Sequence, residues 1–257
     1  MRSQFSLATI FCWALLNLAA APGAVAQRGP DIFITPIPNA PFSGMVTVER
    51  SILQQNGYVA NLKTIRAIGR DSEGRIHNEA RALVPVAVSG TPPLLSIHIY
   101  DPQTRTNTFL NPQKRTFWTA TVNRPPATEP PDNQASPSAN SFPASQFARQ
   151  EDLGNRDVEG LPAHGVRDTQ TIPAESSGTG REVVITDEYW YSEDLRMNLV
   201  VKHSDPRKGS VEMTVTQVTR TEPDRSFFEI PTGYKPAEAA QGTGSGQASG
   251  AGEGSEQ

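Results

Sequence analysis

The sequence contains little cysteine, few aromatic residues and little net charge. Its 257 residues include one Cys, 7% aromatic residues and 36% in the broad apolar set, below the ~45–50% usual when Gly is also counted. The formal net charge is −4 and the Lys and Arg residues are scattered, so the basic footprint of a nucleic-acid-binding protein is missing. The 22 prolines are spread along the chain and exclude a mostly helical bundle, because each interior Pro disrupts a helix.

The first segment predicts export. Residues 1–26 have a positively charged start, an apolar run from Phe5 to Ala21 and a small-x-small cleavage site at 24–26, which together predict a signal peptide cut before Gln27. A retained anchor helix is the alternative, but it usually needs ~20 apolar residues without such a site. Cleavage removes Cys12 and so excludes disulfides, thiol catalysis and Cys-based metal sites. We expect a periplasmic or secreted protein.

Composition divides the remaining chain. Residues 27–41 carry four prolines and predict an extended lead-in, and the patterned region 42–236 predicts a single β domain. A loop at 124–147, with six prolines, interrupts that domain. Residues 237–257 hold six glycines, three glutamates and no aromatic residue, so we expect a disordered tail that cannot bury enough apolar area to fold.

Alternating apolar and polar residues predict about nine or ten strands joined by short turns. The predicted strands are Met45–Gln54, Tyr58–Arg70, Arg75–Val84, Leu94–Tyr100, Arg105–Leu110, Arg115–Val122, Asp157–Val166 with a bend at Gly160 and its continuation Val166–Ile172, Glu182–Tyr191, Leu195–Val201 and Val211–Val218. One short helix is predicted near Ser145–Asp152. The predicted fold is mainly β: a single curled antiparallel sheet, an open half-barrel meander with little helix.

Two predicted strands, Tyr58–Arg70 and Glu182–Tyr191, carry apolar residues on both faces. A sheet with one solvated face would have polar residues on that side. Three interpretations stay open: the sheet curls so that one face lines a cavity, the Pro-rich loop lies across the second face, or the domain has a thick sandwich core.

Residues that could carry catalysis or bind metal are sparse. None of the four histidines (His77, His98, His164 and His203) has the spacing of a metal site, and each falls on a predicted polar face or beside a turn, which predicts surface or hydrogen-bonding roles.

The adjacent carboxylates Asp187-Glu188 and Glu193-Asp194 point to opposite faces of a strand, so neither pair can share a proton. No serine-nucleophile or phosphate-binding motif occurs. We therefore predict no catalytic residue, no metal ligand and no cofactor.

The aromatic residues provide the candidate ligand contacts, namely Trp118, Tyr189, Trp190 and Tyr191. Aromatic side chains on both faces of one strand fill a core on one side and can line a ligand cavity on the other. Core packing alone is the competing interpretation.

Two stretches resemble known groups. The run R-D-S-E-G-R at 70–75, with D-P-Q-T after a later strand, resembles uncharacterised secreted proteins of Acidobacteria type. The run 217–231, together with an F-x-x-P-x-G match at Phe228, Pro231 and Gly233, resembles the end of periplasmic lipoprotein carriers (LolA-like). That resemblance implies an unclosed antiparallel barrel whose apolar concave face holds acyl chains under lid helices. The Pro-rich lead-in and the lack of lid helices depart from that pattern.

We therefore expect a non-catalytic exported binding protein of the cell envelope, for an apolar or lipid-like ligand. The alternative is a protein-interaction, envelope-scaffold or sensor module without a small-molecule ligand, which would use the Pro-rich segment and the tail as contacts. The expected partners are a lipid, another apolar ligand or an envelope protein. Neither nucleic acid nor a stable membrane span after signal cleavage is expected.

Overall fold

A computed structural model of the chain describes residues 31–122 and 147–237. The predicted signal peptide with Cys12, almost all of the predicted loop 124–147 and almost all of the predicted tail 237–257 lie outside these ranges. The described residues are mainly β and form one large unclosed sheet, as the alternation predicts.

Thirteen strands and one 3₁₀ helix form within the described ranges. The strands are β1 (Phe42–Leu53), β2 (Val59–Arg70), β3 (Ile76–Arg81), β4 (Val84–Pro85), β5 (Leu94–Asp101), β6 (Thr106–Asn111), β7 (Thr116–Thr121), β8 (Ala148–Val158), β9 (Leu161–Ile172), β10 (Val183–Ser192), β11 (Met197–Asp205), β12 (Gly209–Thr219) and β13 (Lys235–Pro236). The 3₁₀ helix is Arg225–Phe228. None of the helical structure in the described ranges has the length and apolar character that a membrane span requires.

The sheet has two wings on either side of β1. Its strand order is β13-β7-β6-β5-β3-β2-β1-β12-β11-β10-β9-β8, with β4 beside β2, and its pairs are antiparallel except for the short β13, which runs parallel to β7. We call β2 to β7 the first wing and β8 to β12 the second wing. The chain therefore crosses the first wing outward from β1 and later returns through the second wing from its far edge.

Strand register assigns each side chain to one of two faces. Val46 of β1 lies opposite Arg66 of β2 and Val215 of β12, and residues directly opposite each other share a face. We call this the front face and the other the back face. Phe42 and Val48 also point to the front and are buried, so the alternation along β1 reflects one tightly packed face.

Both faces of the first wing are covered by segments from the ends of the described chain. The described part of the lead-in, 31–41, lies on the front face, where Ile32 joins the main core. The C-terminal segment, 222–237, crosses the back face, where Phe228 packs with Ile99 and Leu110, and ends in the edge strand β13. This packing explains why β2 is apolar on both sides, and the suggestion that the Pro-rich loop covers one face stays a prediction.

The second wing curls onto itself. The tip of the β8–β9 hairpin reaches β12, where the Gln217 amide donates to Glu159 Oε2 at 2.8 Å. Trp190 packs over Gly165 of the neighbouring strand, and Leu199 is fully buried in the main core. The apolar residues on both faces of β10 are thus largely buried in the main core.

Two local predictions are wrong. The helix predicted near Ser145–Asp152 is strand β8 in its described part, because cross-strand pairing with β9 outweighs local propensity and a bulge between Asp152 and Gly154 hides the alternation. The predicted bend at Gly160 is a hairpin turn between two strands, since Glu159 and Gly160 have φ values of 54° and 77°.

Candidate functional site

Three aromatic rings stack across the front face of the first wing. His98 of β5, Phe109 of β6 and Trp118 of β7 are cross-strand neighbours. The His98 and Phe109 ring centroids are 4.6 Å apart and those of Phe109 and Trp118 are 4.2 Å apart, both nearly parallel. We call these residues the aromatic row. Trp118 ends the row and is 51% exposed, so the indole face not covered by Phe109 is open to a ligand.

A groove of about 750 Å³ borders the Trp118 end of the row. We call it the edge groove, because it lies at the edge of the first wing that β7 and the short strand β13 form. Its lining residues are Ser96, Phe109, Leu110, Asn111, Lys114, Thr116, Trp118, Lys235, Pro236 and Ala237. This lining combines an aromatic floor with amide, hydroxyl and ammonium groups, the mixture that orients a partly apolar ligand.

A second groove, of about 350 Å³, borders the His98 end of the row. We call it the lead-in groove, because Ile32, Phe33 and Ile34 of the lead-in form one wall. Tyr100 and Val122 contribute to the opposite side. The aromatic row therefore runs from one groove to the other along a single face of the sheet.

Arg70 holds the lead-in in the position that creates the second groove. Its guanidinium donates to the carbonyl oxygens of Thr35 at 2.7 Å, Ala40 at 2.8 Å and Leu195 at 3.0 Å, and it lies over the Phe42 ring. The residue is completely buried. Burial, together with the nearby charge of Arg196, lowers the pKa of Arg70 to about 10.

The lead-in has a second attachment on the same face. Arg66 of β2 forms an ion pair with Asp31, whose side chain is partly exposed. The Asp31 carboxylate also accepts a hydrogen bond from the Ile32 amide at 2.7 Å. The described lead-in is therefore tied to two residues of β2, with Arg66 at its start and Arg70 further along.

The predicted ligand contacts do not come together. Trp118 lies in the aromatic row of the first wing, whereas Tyr189, Trp190 and Tyr191 are buried in the main core on β10. Trp190 donates its Nε1–H to Glu188 at 2.7 Å, and the Arg156 guanidinium lies 3.7 Å from its ring centroid. A role of these four residues in ligand binding stays a prediction.

The histidines mostly occupy hydrogen-bonding positions. His98 contacts the Asn107 side chain at 2.7 Å, His164 contacts Asn155, and His203 contacts Asp187 at 2.7 Å. His77 also has a hydrogen-bonding role, but it is only 4% exposed and so does not lie at the surface.

His77 is buried because the C-terminal segment covers it. Its ring stacks on Phe227 with centroids 3.6 Å apart, and its Nδ1 lies 2.6 Å from the Phe227 carbonyl oxygen. Burial lowers the pKa of His77 below its ordinary value, although the hydrogen bond to Phe227 acts in the opposite direction. A segment distant in the sequence therefore decides the environment of this residue.

The two adjacent carboxylates on β10 point to opposite faces, as predicted. Asp187 contacts His203, whereas Glu188 accepts hydrogen bonds from Arg167 at 2.8 Å and from Trp190. Burial acts to raise the pKa of Glu188, but these hydrogen bonds hold it below its ordinary value. Within residues 31–122 and 147–237, no cluster of three His, Cys, Asp or Glu side chains could hold a metal ion.

Alternation within single strands does not reveal His98 and Phe109 as partners of Trp118. A usable signal exists, since the turn Asp101–Thr104 sets the register between β5 and β6 and the next turn sets that between β6 and β7. Counting outward from both turns brings the three rings into one row. Such counting needs a correct turn type, because a slip of one residue moves a ring to the other face.

No protein-family model and no curated protein matches the chain. Similar solved structures include the Pseudomonas aeruginosa MucA/MucB complex, at 16% identity and TM-score 0.36, covering 74% of this chain and 56% of the matched chain. A LolA superfamily protein from Nitrosomonas europaea matches at 9% identity and TM-score 0.30, covering 76% of this chain and 92% of the matched one. The Mycobacterium tuberculosis lipoprotein LppX matches at 13% identity and TM-score 0.24, covering 70% and 88%.

The chain thus spans little more than half the length of the MucA/MucB chain that it matches. All three TM-scores lie below 0.5, so these likenesses support no argument about function. The similar solved structures include a LolA superfamily protein, from the group that the C-terminal run resembles. The resemblance to secreted proteins of Acidobacteria type stays a prediction.

Proposed function

We propose that the protein is an exported, non-catalytic binding protein of the cell envelope that takes an apolar or lipid-like ligand on the front face of its first wing. The observation that carries this proposal is the aromatic row, which lies between two grooves and ends in the half-exposed Trp118, stacked on Phe109. The open indole face of Trp118 beside a groove accepts apolar chains without a prescribed geometry.

The interior of the sheet offers less room for such a ligand. Val46, Leu199 and Val215 of the main core are completely buried, and the lead-in contributes Ile32 to the same core. Exposed apolar area is found outside this core, at Phe33 with 54% and Trp118 with 51% exposure. The proposed ligand therefore lies on the sheet surface rather than inside the curl.

The size of the exposed area is compatible with reversible binding. Covering the exposed halves of Phe33 and Trp118 removes on the order of 200 Å² from water, worth about 5 kcal/mol at ~25 cal/mol per Å². The loss of translational and rotational freedom on association offsets much of this gain. We therefore expect moderate affinity, suited to a ligand that is taken up and released.

Titration of the delipidated full chain with a fluorescent fatty acid tests the proposal. We expect saturable binding that Trp118→Ala weakens at least about fivefold, since an exposed aromatic contact is worth about 1 kcal/mol or more. Tyr58→Ala is the matched control, because Tyr58 is an exposed aromatic residue in the β1–β2 turn outside both grooves. Failure to bind the probe, together with no co-purified lipid in mass spectra, contradicts the proposal.

A second candidate function is protein interaction through β8. This strand is last in the sheet order and presents mostly exposed residues, which would allow a partner to add a strand. Its bulge and its charged residues are also the features that keep such an edge unpaired. Photo-crosslinking in cells from Gln150, but not from Tyr58, to one specific protein would favour this function.

A further inference from the structure

We infer that the edge groove selects a negatively charged head group, so that the ligand is an anionic amphiphile; this inference rests on the proposed function. Two ammonium groups, Lys114 and Lys235, line the groove beside Trp118. The described residues that line it include no carboxylate, although the whole chain carries a net charge of −4. The edge groove is thus a positive region on an acidic protein, which attracts anions.

Backbone contacts hold both lysines at the rim. The Lys114 amide donates to the Asn111 side-chain oxygen at 3.0 Å in the β6–β7 turn. The Lys235 amide donates to the Arg115 carbonyl at 3.0 Å, beside the pairing of β13 with β7. Neither ammonium group takes part in an ion pair with another described residue, so both are free to contact a ligand.

The lead-in groove differs in charge. Its lining includes one carboxylate, Asp31, which is paired with Arg66, and no ammonium or guanidinium group among the described residues. The rest of its lining combines apolar side chains, such as Phe33 and Val122, with the uncharged polar side chains of Asn78 and Asn107. The aromatic row therefore connects an end with two ammonium groups to an end that offers apolar side chains and no basic group, which matches the two ends of an anionic amphiphile.

This polarity gives the ligand an orientation. The anionic head lies between Lys114 and Lys235, where Asn111 can donate an additional hydrogen bond. The apolar chain of the ligand leaves the head group over Trp118, passes Phe109 and extends toward the lead-in groove. Since both lysines are exposed, their attraction for the head group is modest and decreases as the salt concentration rises.

Calorimetric titration of the delipidated full chain with three probes tests the inference. The probes are decanoate, decanol with the same chain length, and acetate with the same head group. At low salt we expect decanoate to bind about fivefold more tightly than decanol, because exposed charge pairs contribute up to about 1 kcal/mol. Acetate should bind far more weakly than either.

The double variant Lys114→Gln/Lys235→Gln should bind decanoate and decanol equally, with the decanol affinity unchanged from the parent chain. Lys208→Gln is the control, because Lys208 is exposed in the β11–β12 turn, away from the groove. Unchanged thermal unfolding of all variants excludes a folding defect as the cause.

The outcomes separate the inference from the proposed function. Equal binding of decanoate and decanol by the parent chain overturns the charge selection and leaves the proposed function in place. If acetate binds as tightly as decanoate, the inference that the ligand is an amphiphile is wrong and the groove is a simple anion site. Absence of binding by both ten-carbon probes overturns the proposed function itself.

Discussion

The two wings of the sheet bury their apolar residues in different ways. The first wing is covered from outside, by the lead-in on its front face and the C-terminal segment on its back face. The second wing uses its own strands, with the β8–β9 hairpin curling onto β12. Coverage by separate segments leaves gaps at their borders, and the two grooves lie at these borders. The proposed binding surface is therefore a consequence of how the first wing is closed.

Both wings contain a glycine that lies under an aromatic ring. A Cβ atom on Gly165 would lie 2.7 Å from the Trp190 ring, and one on Gly69 would lie 2.8 Å from the Phe227 ring. Trp190 comes from the adjacent strand, whereas Phe227 comes from the C-terminal segment. The same local contact thus fastens a strand in one wing and a covering segment in the other.

The largest effect is expected at Arg70, which links the lead-in to both wings. Arg70→Ala removes the donor that the carbonyl oxygens of Thr35, Ala40 and Leu195 share and should reduce the free energy of unfolding by about 3–5 kcal/mol. Arg66→Ala, on the same strand and face, should cost about 1 kcal/mol, because its partner Asp31 is partly exposed. Urea denaturation measures both, and equal losses would contradict a special role for Arg70.

The two glycines provide a direct comparison of the wings. Gly165→Ala should lower the free energy of unfolding by about 1–3 kcal/mol, because the Trp190 ring cannot move away from its own strand without losing core packing. Gly69→Ala should cost less, because Phe227 can shift together with the C-terminal segment.

Hydrogen exchange distinguishes the two responses. In Gly69→Ala we expect faster exchange confined to strands next to the C-terminal segment, such as β3 and β5, with β11 unchanged. In Gly165→Ala the loss of protection should reach the whole second wing. An equal loss of protection over both wings in Gly69→Ala would show that the covering segment and the core unfold as one unit.

His77 should make the attachment of the C-terminal segment sensitive to acid. Because burial lowers its pKa in the folded protein, the unfolded chain binds a proton first as the pH falls. The contribution of neutral His77 to the stability is therefore fully present above the ordinary pKa of histidine. It is lost as the pH falls from that value toward the lower pKa of the folded protein. Glu79 opposes this shift in the pKa and His98 adds to it.

Urea denaturation between pH 7 and pH 5 measures this dependence, a range that includes the ordinary histidine pKa of about 6.5. His77→Gln, which keeps a donor for the Phe227 carbonyl but does not titrate, should show a shallower loss than the parent chain. His203→Gln serves as the control at a partly exposed histidine. If His77→Gln loses stability with falling pH as steeply as the parent chain, the assignment of this pH dependence to His77 is wrong.

The smallest effect is expected in a row of charges on the back face. Seven residues are successive cross-strand partners from β8 to β2, and they are Glu151, Arg167, Glu188, Lys202, Glu212, Glu49 and Lys63. Their signs alternate except at Glu212 and Glu49, which lie directly opposite each other. Glu49→Gln should therefore stabilise the protein by about 0.3 kcal/mol at low salt.

Added salt should reduce that gain, because it screens exposed charges. Glu175→Gln, at an exposed carboxylate outside the row, should leave the stability unchanged within error. Thermal unfolding measures the stability of both variants. If Glu49→Gln lowers the stability, the negative charge of Glu49 stabilises the row and the prediction is wrong.

Much of the sheet could be predicted from local patterns. The Asn56-Gly57 turn and the alternation on either side of it predict β1 and β2, and the observed strands begin or end within a few residues of the predicted ones. Strand β8 could not be predicted, because its exposed edge position and its bulge leave no apolar alternation. Of the candidate site, the sequence points to Trp118, but the partners of this residue depend on the register of two hairpins.

The sequence by itself determined a mainly β chain, the positions of most turns and the presence of strands with two apolar faces, because these depend on residue periodicity and turn chemistry. Only the tertiary structure decided what covers those faces. The lead-in reaches the sheet through contacts such as that between Arg70 and Thr35, and the C-terminal segment through that between His77 and Phe227. The second of these contacts joins residues 150 positions apart, and no local pattern encodes a pairing over such a separation.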